Sequence, residues 1–439
     1  MNKKLIYIFY FLFVQQTNVI AQQMLTVEQA IATALENNYS IQLLKNDSSS
    51  FALDNSYAKA AFLPRLNATS NLQFNNNNQS QTFTDGTKRE RDDVKSNNIN
   101  ATVQLSWTLF DGLKMFATKE KLAEFVQLGS LNIRNQIVNT IAAVTNNYYN
   151  IVRQKQLLKA IEEQMSVNEE RLKISEKKLS VGLGAKPELL QAKVDLNAQK
   201  ATRMKQLTLI EQLKEQLNQL INVKLSSDYD VDEAIVFKTS IILTEIMSVA
   251  QNENPSLLVI KKNLEIGKLT LKERIADLYP TLNFNSSYSY SKTDNKTVVN
   301  PFQPLFSRNS GYNYGFGLSV PILNGFNVKR QIQQAQLDID YLNLSFQNQK
   351  AQIDVSIINA YKDYELQKKM LALEEENILL AKENVFISVE RLRLGVATFI
   401  ELRETQKSLE LAYDRLIAAR YNTKLAETEL LRLKGDIVR

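Results

Sequence analysis

The sequence predicts an α+β membrane protein built from a duplicated unit, each copy holding two β-strands and a long α-helical hairpin. Three observations carry that expectation. The chain repeats itself, four segments alternate apolar and polar residues with a period of two, and the remainder is long, turn-poor and helical in pattern.

The repeat comes first because it sets the count of everything else. Leu63-Pro64-Arg65-Leu66 recurs as Tyr279-Pro280-Thr281-Leu282, an offset of 280 − 64 = 216. Trp107-Thr108-Leu109-Phe110-Asp111-Gly112 recurs as Val320-Pro321-Ile322-Leu323-Asn324-Gly325, and 325 − 112 = 213. That second offset also relates Asn147-Tyr148 to Ala360-Tyr361, Val181-Gly182 to Leu394-Gly395, Glu188-Leu189 to Glu401-Leu402, and Leu217 and Leu220 to Leu430 and Leu433. Prolines, glycines and helix faces kept in register mark two copies of one structural unit. The register changes between Leu66 and Trp107, in an Asn-rich stretch expected to be a loop.

Residues 1–21 read as a secretory signal peptide. Lys3 and Lys4 are its positive end, Leu5 to Val14 its apolar core, and Val19-Ile20-Ala21 a small-residue cleavage site. An uncleaved anchor is the alternative, but the apolar run falls short of the roughly 20 residues a spanning helix needs. No later stretch is apolar enough to span as a helix. The first repeat is placed at 22–225, a polar connector at 226–242 and the second repeat at 243–439.

The strands are placed at about 66–76, 98–108, 281–291 and 312–320. Ile99, Ala101, Val103, Leu105 and Trp107 alternate with Asn100, Thr102, Gln104 and Ser106. The same holds for Leu66, Ala68, Leu72 and Phe74, for Leu282, Phe284, Tyr288 and Tyr290, and for Tyr312, Tyr314, Phe316, Leu318 and Val320. Strands of about 10 residues, aromatic toward their ends and nearly uncharged on the polar face, suit lipid outside and a watery lumen inside. A soluble sheet with one wet face shares the period; the leader and the strand length favour the membrane. Four strands cannot close a barrel, and open edges are not tolerated in lipid, so other chains must complete it. A trimer gives twelve strands; a dimer or tetramer also fits the arithmetic. The joining segments, 75–97 with Asp85-Gly86 and 292–311 with Pro301, Pro304 and Gly311, read as exposed loops.

The helical hairpins are placed at about 111–222 and 326–434. The first turns at Val181-Gly182-Leu183-Gly184 and the second at Gly395. The returning helix of the second copy shows a clean heptad seam: Leu402, Thr405, Leu409, Ala412, Leu416, Ala419, Thr423, Ala426, Leu430 and Leu433. Its counterpart places Gln199, Arg203 and Gln206 in the middle of the seam, which suggests a face toward water or another helix layer. A plain coiled-coil stalk accounts for the helices but not for the strands.

Composition narrows the chemistry. There is no Cys, hence no disulfide framework and no lipidated mature N-terminus, and no His, hence no His-based metal site or triad. The net charge of +6 is spread along mixed-sign helices rather than in a nucleic-acid patch. Carboxylate pairs such as Glu162 with Glu163, and the run Glu374 to Glu376, lie on charged helix faces with no nucleophile or phosphate loop beside them. No enzyme activity, cofactor, metal or nucleic-acid partner is expected.

In the order and duplication of these motifs, from Leu25 to about Gly435, the chain resembles the TolC-like outer-membrane efflux and secretion channels. The likeness rests on the two Leu-Pro-type segments, the Leu109-Phe110-Asp111-Gly112 and Ile322-Leu323-Asn324-Gly325 junctions, and the turns Val181-Gly182-Leu183 and Leu394-Gly395-Val396. The resemblance implies a homotrimer with a twelve-stranded barrel in the outer membrane and a periplasmic helical tunnel. It also implies docking to a periplasmic adaptor and an inner-membrane pump. Two acidic residues after the second turn ring the periplasmic opening in that family; they match Glu401 and Glu404, and Glu188 matches an acidic position after the first turn. Glu401 and Glu404, three apart, share one helix face, so a trimer gathers six carboxylates and attracts cations. The family's Arg and Tyr latch positions hold Ala397 and Leu392 here, which turns attention to Arg391 and Arg393 as partners for Glu188. The turns Val181, Gly182, Leu183, Leu394, Gly395 and Val396 are the expected adaptor contacts. The cargo is not legible. A barrel-anchored structural or adhesive trimeric stalk is the alternative reading.

Overall fold

The computed structural model describes residues 24–223, 229–237, 241–435 and 437; the leader at 1–21 lies outside them. In order, the elements are β1 (Met24–Leu25), α1 (Val27–Asn37), α2 (Tyr39–Ser56), β2 (Arg65–Thr82), β3 (Lys88–Asp111), α3 (Lys114–Ser180) and α4 (Lys186–Ile221). Then follow β4 (Asp230–Val231), α5 (Leu243–Glu253), α6 (Pro255–Ala276), β5 (Thr281–Asn295), β6 (Phe306–Ser319), α7 (Asn327–Arg393) and α8 (Phe399–Lys434). No described helix is long and apolar enough to cross a membrane.

The four long strands form one antiparallel sheet in the order β2-β3-β5-β6. Its register gathers the four alternating patterns onto common faces. Ala68, Val103, Tyr288 and Tyr312 lie in one row, and Trp107, Phe284 and Phe316 in another. Thr69, Thr102, Ser289 and Gly311 form a row of the opposite, polar face. Opposite residues in a sheet share a face, so one side is apolar across all four strands. β2 and β6 are edges, each with a row of backbone groups that no described strand pairs.

The expected loop at 75–97 is a correction. β2 and β3 run on through most of it, 18 and 24 residues long, and turn only around Asp85-Gly86, where the Phe83 amide donates to the Thr87 carbonyl at 2.9 Å. This extension is polar on both faces, so it shows no alternation. The backbone ladder and cross-strand polar contacts hold it instead, among them Asn75 to Ser96 at 3.2 Å and Ser80 to Glu90 at 3.1 Å. The 292–311 loop is likewise shortened, because β5 reaches Asn295 and β6 begins at Phe306. The connector, too, has structure: Asp230 and Val231 pair in parallel with Met24 and Leu25.

The strand-to-helix junctions are built twice. Gly112 and Leu113 have φ of 72° and 71°, and Gly325 and Phe326 have 63° and 61°. A left-handed non-glycine residue is costly, on the order of 1–2 kcal/mol, yet it occurs in both copies. A side chain at Gly112 would meet the Ala276 carbonyl oxygen at 2.4 Å, so the corner needs glycine for space as well as conformation. The Asp111 carboxylate then accepts the Met115 amide at 3.1 Å and starts α3. α3 and α7 each hold 67 residues, about 100 Å at 1.5 Å per residue.

A repeated tie also closes each hairpin. Asn38 donates to the Leu220 carbonyl at 2.8 Å while its own oxygen accepts the Ser40 and Ile41 amides. Asn254 does the same to Leu433 at 2.8 Å and to Ser256 and Leu257. One side chain thus caps a helix start and satisfies a helix end.

By contacts the chain forms two compact units that do not follow the repeats. Of the described residues, one unit holds those within 24–46, 131–258 and 348–437; the other holds 47–130 and 259–347. The first contains both helix turns and two buried clusters. One cluster joins Ala30 and Ala34 to Val144, Tyr148, Ile151, Leu213, Leu217, Ile221 and Val231. The other joins Ala160 to Ile378, Val385, Leu409, Ala412 and Leu416. The second unit contains the sheet and a polar seam on its helices, in which Lys262 lies 2.5 Å from both Glu124 and Glu265, and Glu273 accepts from Thr118 at 2.7 Å.

Candidate functional site at the helix turns

The two turns are near-copies in backbone. The Gly182 and Gly395 amides donate to Leu179 and Leu392 at 3.1 Å in both cases, and the Leu183 and Val396 amides to Lys178 and Arg391 at 2.8 and 2.9 Å. Both glycines have φ of 79°, the left-handed position that ends a helix in this motif. Val181, Leu183, Leu394 and Val396 are all exposed, leaving each turn with an unpartnered apolar surface.

The side chains differ. Thr398 caps α8 by accepting the Glu401 amide at 3.2 Å, whereas Ala185 at the start of α4 offers no side-chain cap. Arg391 pairs with Glu401 at 2.5 Å, across the turn within the second hairpin. Arg393 pairs with Glu390 at 2.8 Å and reaches Glu170 on α3 at 3.1 Å. The expected pairing of these arginines with Glu188 is therefore corrected. Glu188 is exposed and makes no ion pair among the described residues, because both guanidiniums meet carboxylates nearer to hand. Glu404 is exposed and also without an ion pair among the described residues, while Glu401 is partly buried.

Lys178 was not singled out by the sequence, although the repeat marks it: 391 − 178 = 213 makes it the counterpart of Arg391. It does not close its own hairpin as Arg391 does. Its ammonium donates to the Leu392 carbonyl at 3.3 Å and lies 5.5 Å from the Phe399 ring centre, so it joins the first hairpin to the second. Leu392 is wholly buried and meets Lys178 through its carbonyl alone.

A family model described as outer membrane efflux protein matches residues 30–223 and 246–436. The chain belongs to the outer membrane efflux protein family. The two matched stretches leave out 224–245, which includes the whole of the connector at 226–242. Among its relatives, outer membrane efflux protein BepC of Brucella suis is 19% identical, over 86% of this chain and 78% of that protein. Outer membrane protein TolC of Salmonella enteritidis is 20% identical, over 87% and 76%. The solved CmeC outer membrane channel of Campylobacter jejuni superposes with a TM-score of 0.79 at 15% identity, over 93% of this chain and 85% of that one. This efflux-family protein is TolC-like and located in the outer membrane, and its class is that of efflux or secretion channels rather than enzymes.

Proposed function

We propose that the chain is one third of a passive exit duct. Three copies close a twelve-stranded barrel, their helical hairpins continue it as a periplasmic tunnel, and the tunnel opens at its helix turns when an adaptor and an inner-membrane pump dock. The observation that carries this reading is the sheet: one face apolar across four strands, the other polar, and both edges unpaired. Such a sheet is stable in lipid only when closed. The strands alternate in direction across the sheet, so β6 of one copy can pair with β2 of the next antiparallel, whatever the number of copies.

The helices support self-assembly independently. On α7, Leu366, Leu373, Leu380 and Ile387 recur every seven residues and are exposed. On α4, Leu190, Val194 and Met204 are exposed as well. A period of seven is a coiled-coil seam awaiting a partner helix, and a second copy of the chain supplies one.

Glu401 and Glu404 are the proposed gate, with Glu188, Arg391 and Arg393 around them. Arg391 answers Glu401 within the chain, so Glu404 is the carboxylate free to act on passing cations. The turns, with exposed Val181, Leu183, Leu394 and Val396, are the proposed adaptor contact. The test is the mass of the detergent-purified protein together with single-channel currents in a planar bilayer. A three-chain mass and discrete cation-selective steps, altered by Glu401→Gln with Glu404→Gln, are expected. A single-chain mass, or inserted protein without currents, overturns the duct. For the turns, Gly182→Trp with Gly395→Trp should abolish crosslinking to the adaptor; unchanged crosslinking removes them as the docking site.

A further inference from the structure

At the hairpin end of the sheet the apolar face changes character within one row. Leu282, Phe284, Tyr288 and Tyr290 on β5, and Tyr312, Tyr314, Phe316 and Leu318 on β6, carry that face without a charge. In the next row Ile99, Lys292 and Arg308 stand directly opposite one another across β3, β5 and β6. Lys95, four residues along β3 from Ile99, lies on the same face.

Like charges set directly opposite destabilise a sheet, and no carboxylate among the described residues forms an ion pair with either. Asp294, the next residue of that face on β5, is held by Lys296 at 2.9 Å. Asp93 accepts from Asn76 at 3.0 Å, and Glu90 is taken by Lys88. Among the described residues, Lys95, Lys292 and Arg308 make no ion pair; Lys292 only overhangs the Phe306 ring, 5.5 Å from its centre.

Depth says what the three cations meet. From Leu282 to Lys292 is ten steps along β5, about 33 Å at ~3.3 Å each. A tilt of ~40° turns that into ~25 Å of height, the height of a barrel's apolar band. The tyrosines just below form the aromatic girdle, and Lys292 and Arg308 stand at headgroup level, with Lys95 about 10 Å further out, at the end of the sheet away from the strand-to-helix junctions. We propose that Lys95, Lys292 and Arg308 bind the phosphate of a phosphorylated lipid in the outer leaflet of the outer membrane. The paired cations then gain the counter-charge that the chain withholds. The inference rests on the sheet being a lipid-facing barrel wall.

The test is native mass spectrometry of the full-length protein, extracted in detergent and titrated with diphosphorylated lipid A or its dephosphorylated form. The phosphorylated lipid should remain bound, and the bound fraction should fall about tenfold or more in Lys95→Gln/Lys292→Gln/Arg308→Gln. Lys292→Arg with Arg308→Lys should keep it, and so should Lys88→Gln, whose ammonium already pairs with Glu90. Equal retention of the two lipids, or undiminished binding by the triple variant, overturns the proposal. Displacement of the lipid by millimolar inorganic phosphate also overturns it, in favour of a free-anion site. Single-channel recording separates the two levels of the argument. A triple variant that conducts but has lost the lipid supports the proposal; a protein that never inserts overturns the barrel and the lipid site together.

Discussion

The two helical hairpins descend from one unit, yet different forces hold them. In the second, the seam of α8 is apolar along nearly its whole length: Leu402, Leu409, Ala412, Leu416, Ala419, Ala426, Leu430 and Leu433 are buried. In the first, apolar burial is confined to the two ends of α4, at Ala192 and Leu196 and again from Ile210 onward. Between them runs a polar ladder. Asn168 donates to Gln199 at 2.6 Å, Gln199 to Gln164 at 3.3 Å, Arg203 to Glu162 at 2.8 Å and Gln206 to Gln154 at 2.8 Å. Apolar burial is non-directional and tolerates little separation from its partner, whereas amides and ions can exchange one another for water at small net cost. The two helices of the first hairpin are thus the ones suited to shift against each other, and the second hairpin the one suited to keep its shape.

The largest expected effect lies in the apolar seam. Leu416→Ala should cost about 2–5 kcal/mol through lost burial and the cavity left behind. Hydrogen exchange should show this as faster opening along α8, with α4 much less affected; equal acceleration in both helices would mean that the hairpins do not respond separately. A smaller loss is expected in the ladder. Gln199→Ala strands the Asn168 and Gln164 amides, at about 1–3 kcal/mol, and Gln199→Leu should recover part of that in the same measurement. A leucine variant no better than alanine would show that the ladder's specific hydrogen bonds matter more than burial.

The smallest effect separates the hairpins by pH. Burial pushes the Asp195 carboxyl up, but hydrogen bonds from Arg171 and Gln191 together outweigh it and hold the group below its ordinary 3.8. A carboxylate with a depressed folded pKa contributes stability that is complete above the unfolded value and lost as pH falls through the folded one. On α8 the sign is opposite. Burial, with Asp414 beside it, holds Glu410 above the usual range, and burial raises Asp414 against the opposing charge of Arg153. Those two favour folding when protonated and lose that contribution as pH rises. Acidification from pH 5 to below 3.8 should therefore raise the opening equilibrium around Asp195 but not around Glu410, read from exchange rates corrected for the intrinsic slowing of exchange in acid. Asp195→Asn should remove the acid response of α4; a response that survives the substitution places its origin elsewhere.

Legibility followed burial. The apolar strand faces, the long helices and the two turns each leave a period in the sequence, and the structure contains all of them. The extension of β2 and β3 through 75–97 left none, because a strand wet on both faces has no apolar period. Asn38 and Asn254 left a weak mark: they repeat at 254 − 38 = 216, the earlier of the two offsets, and only their position between helices explains why. At the turns, residue type predicted acid–base pairing but not who pairs with whom. Arg391 found Glu401, Arg393 found Glu170, and Lys178 crossed to the second hairpin, because partner choice depends on which helices become neighbours.

Sequence alone was enough for the duplication, the alternation of the strands and the lengths of the helices, since each arises from near neighbours along the chain and from a period that 3.6 or 2 residues per turn imposes. Tertiary structure decided the rest: the register that gathers four apolar faces onto one side, the compact units that cut across both repeats, and the row that sets Lys292 against Arg308. Those depend on which segments come to pair, from 308 − 292 = 16 positions apart for Lys292 and Arg308 to 288 − 103 = 185 for Val103 and Tyr288, and a single step in strand register would turn every side chain to the other face.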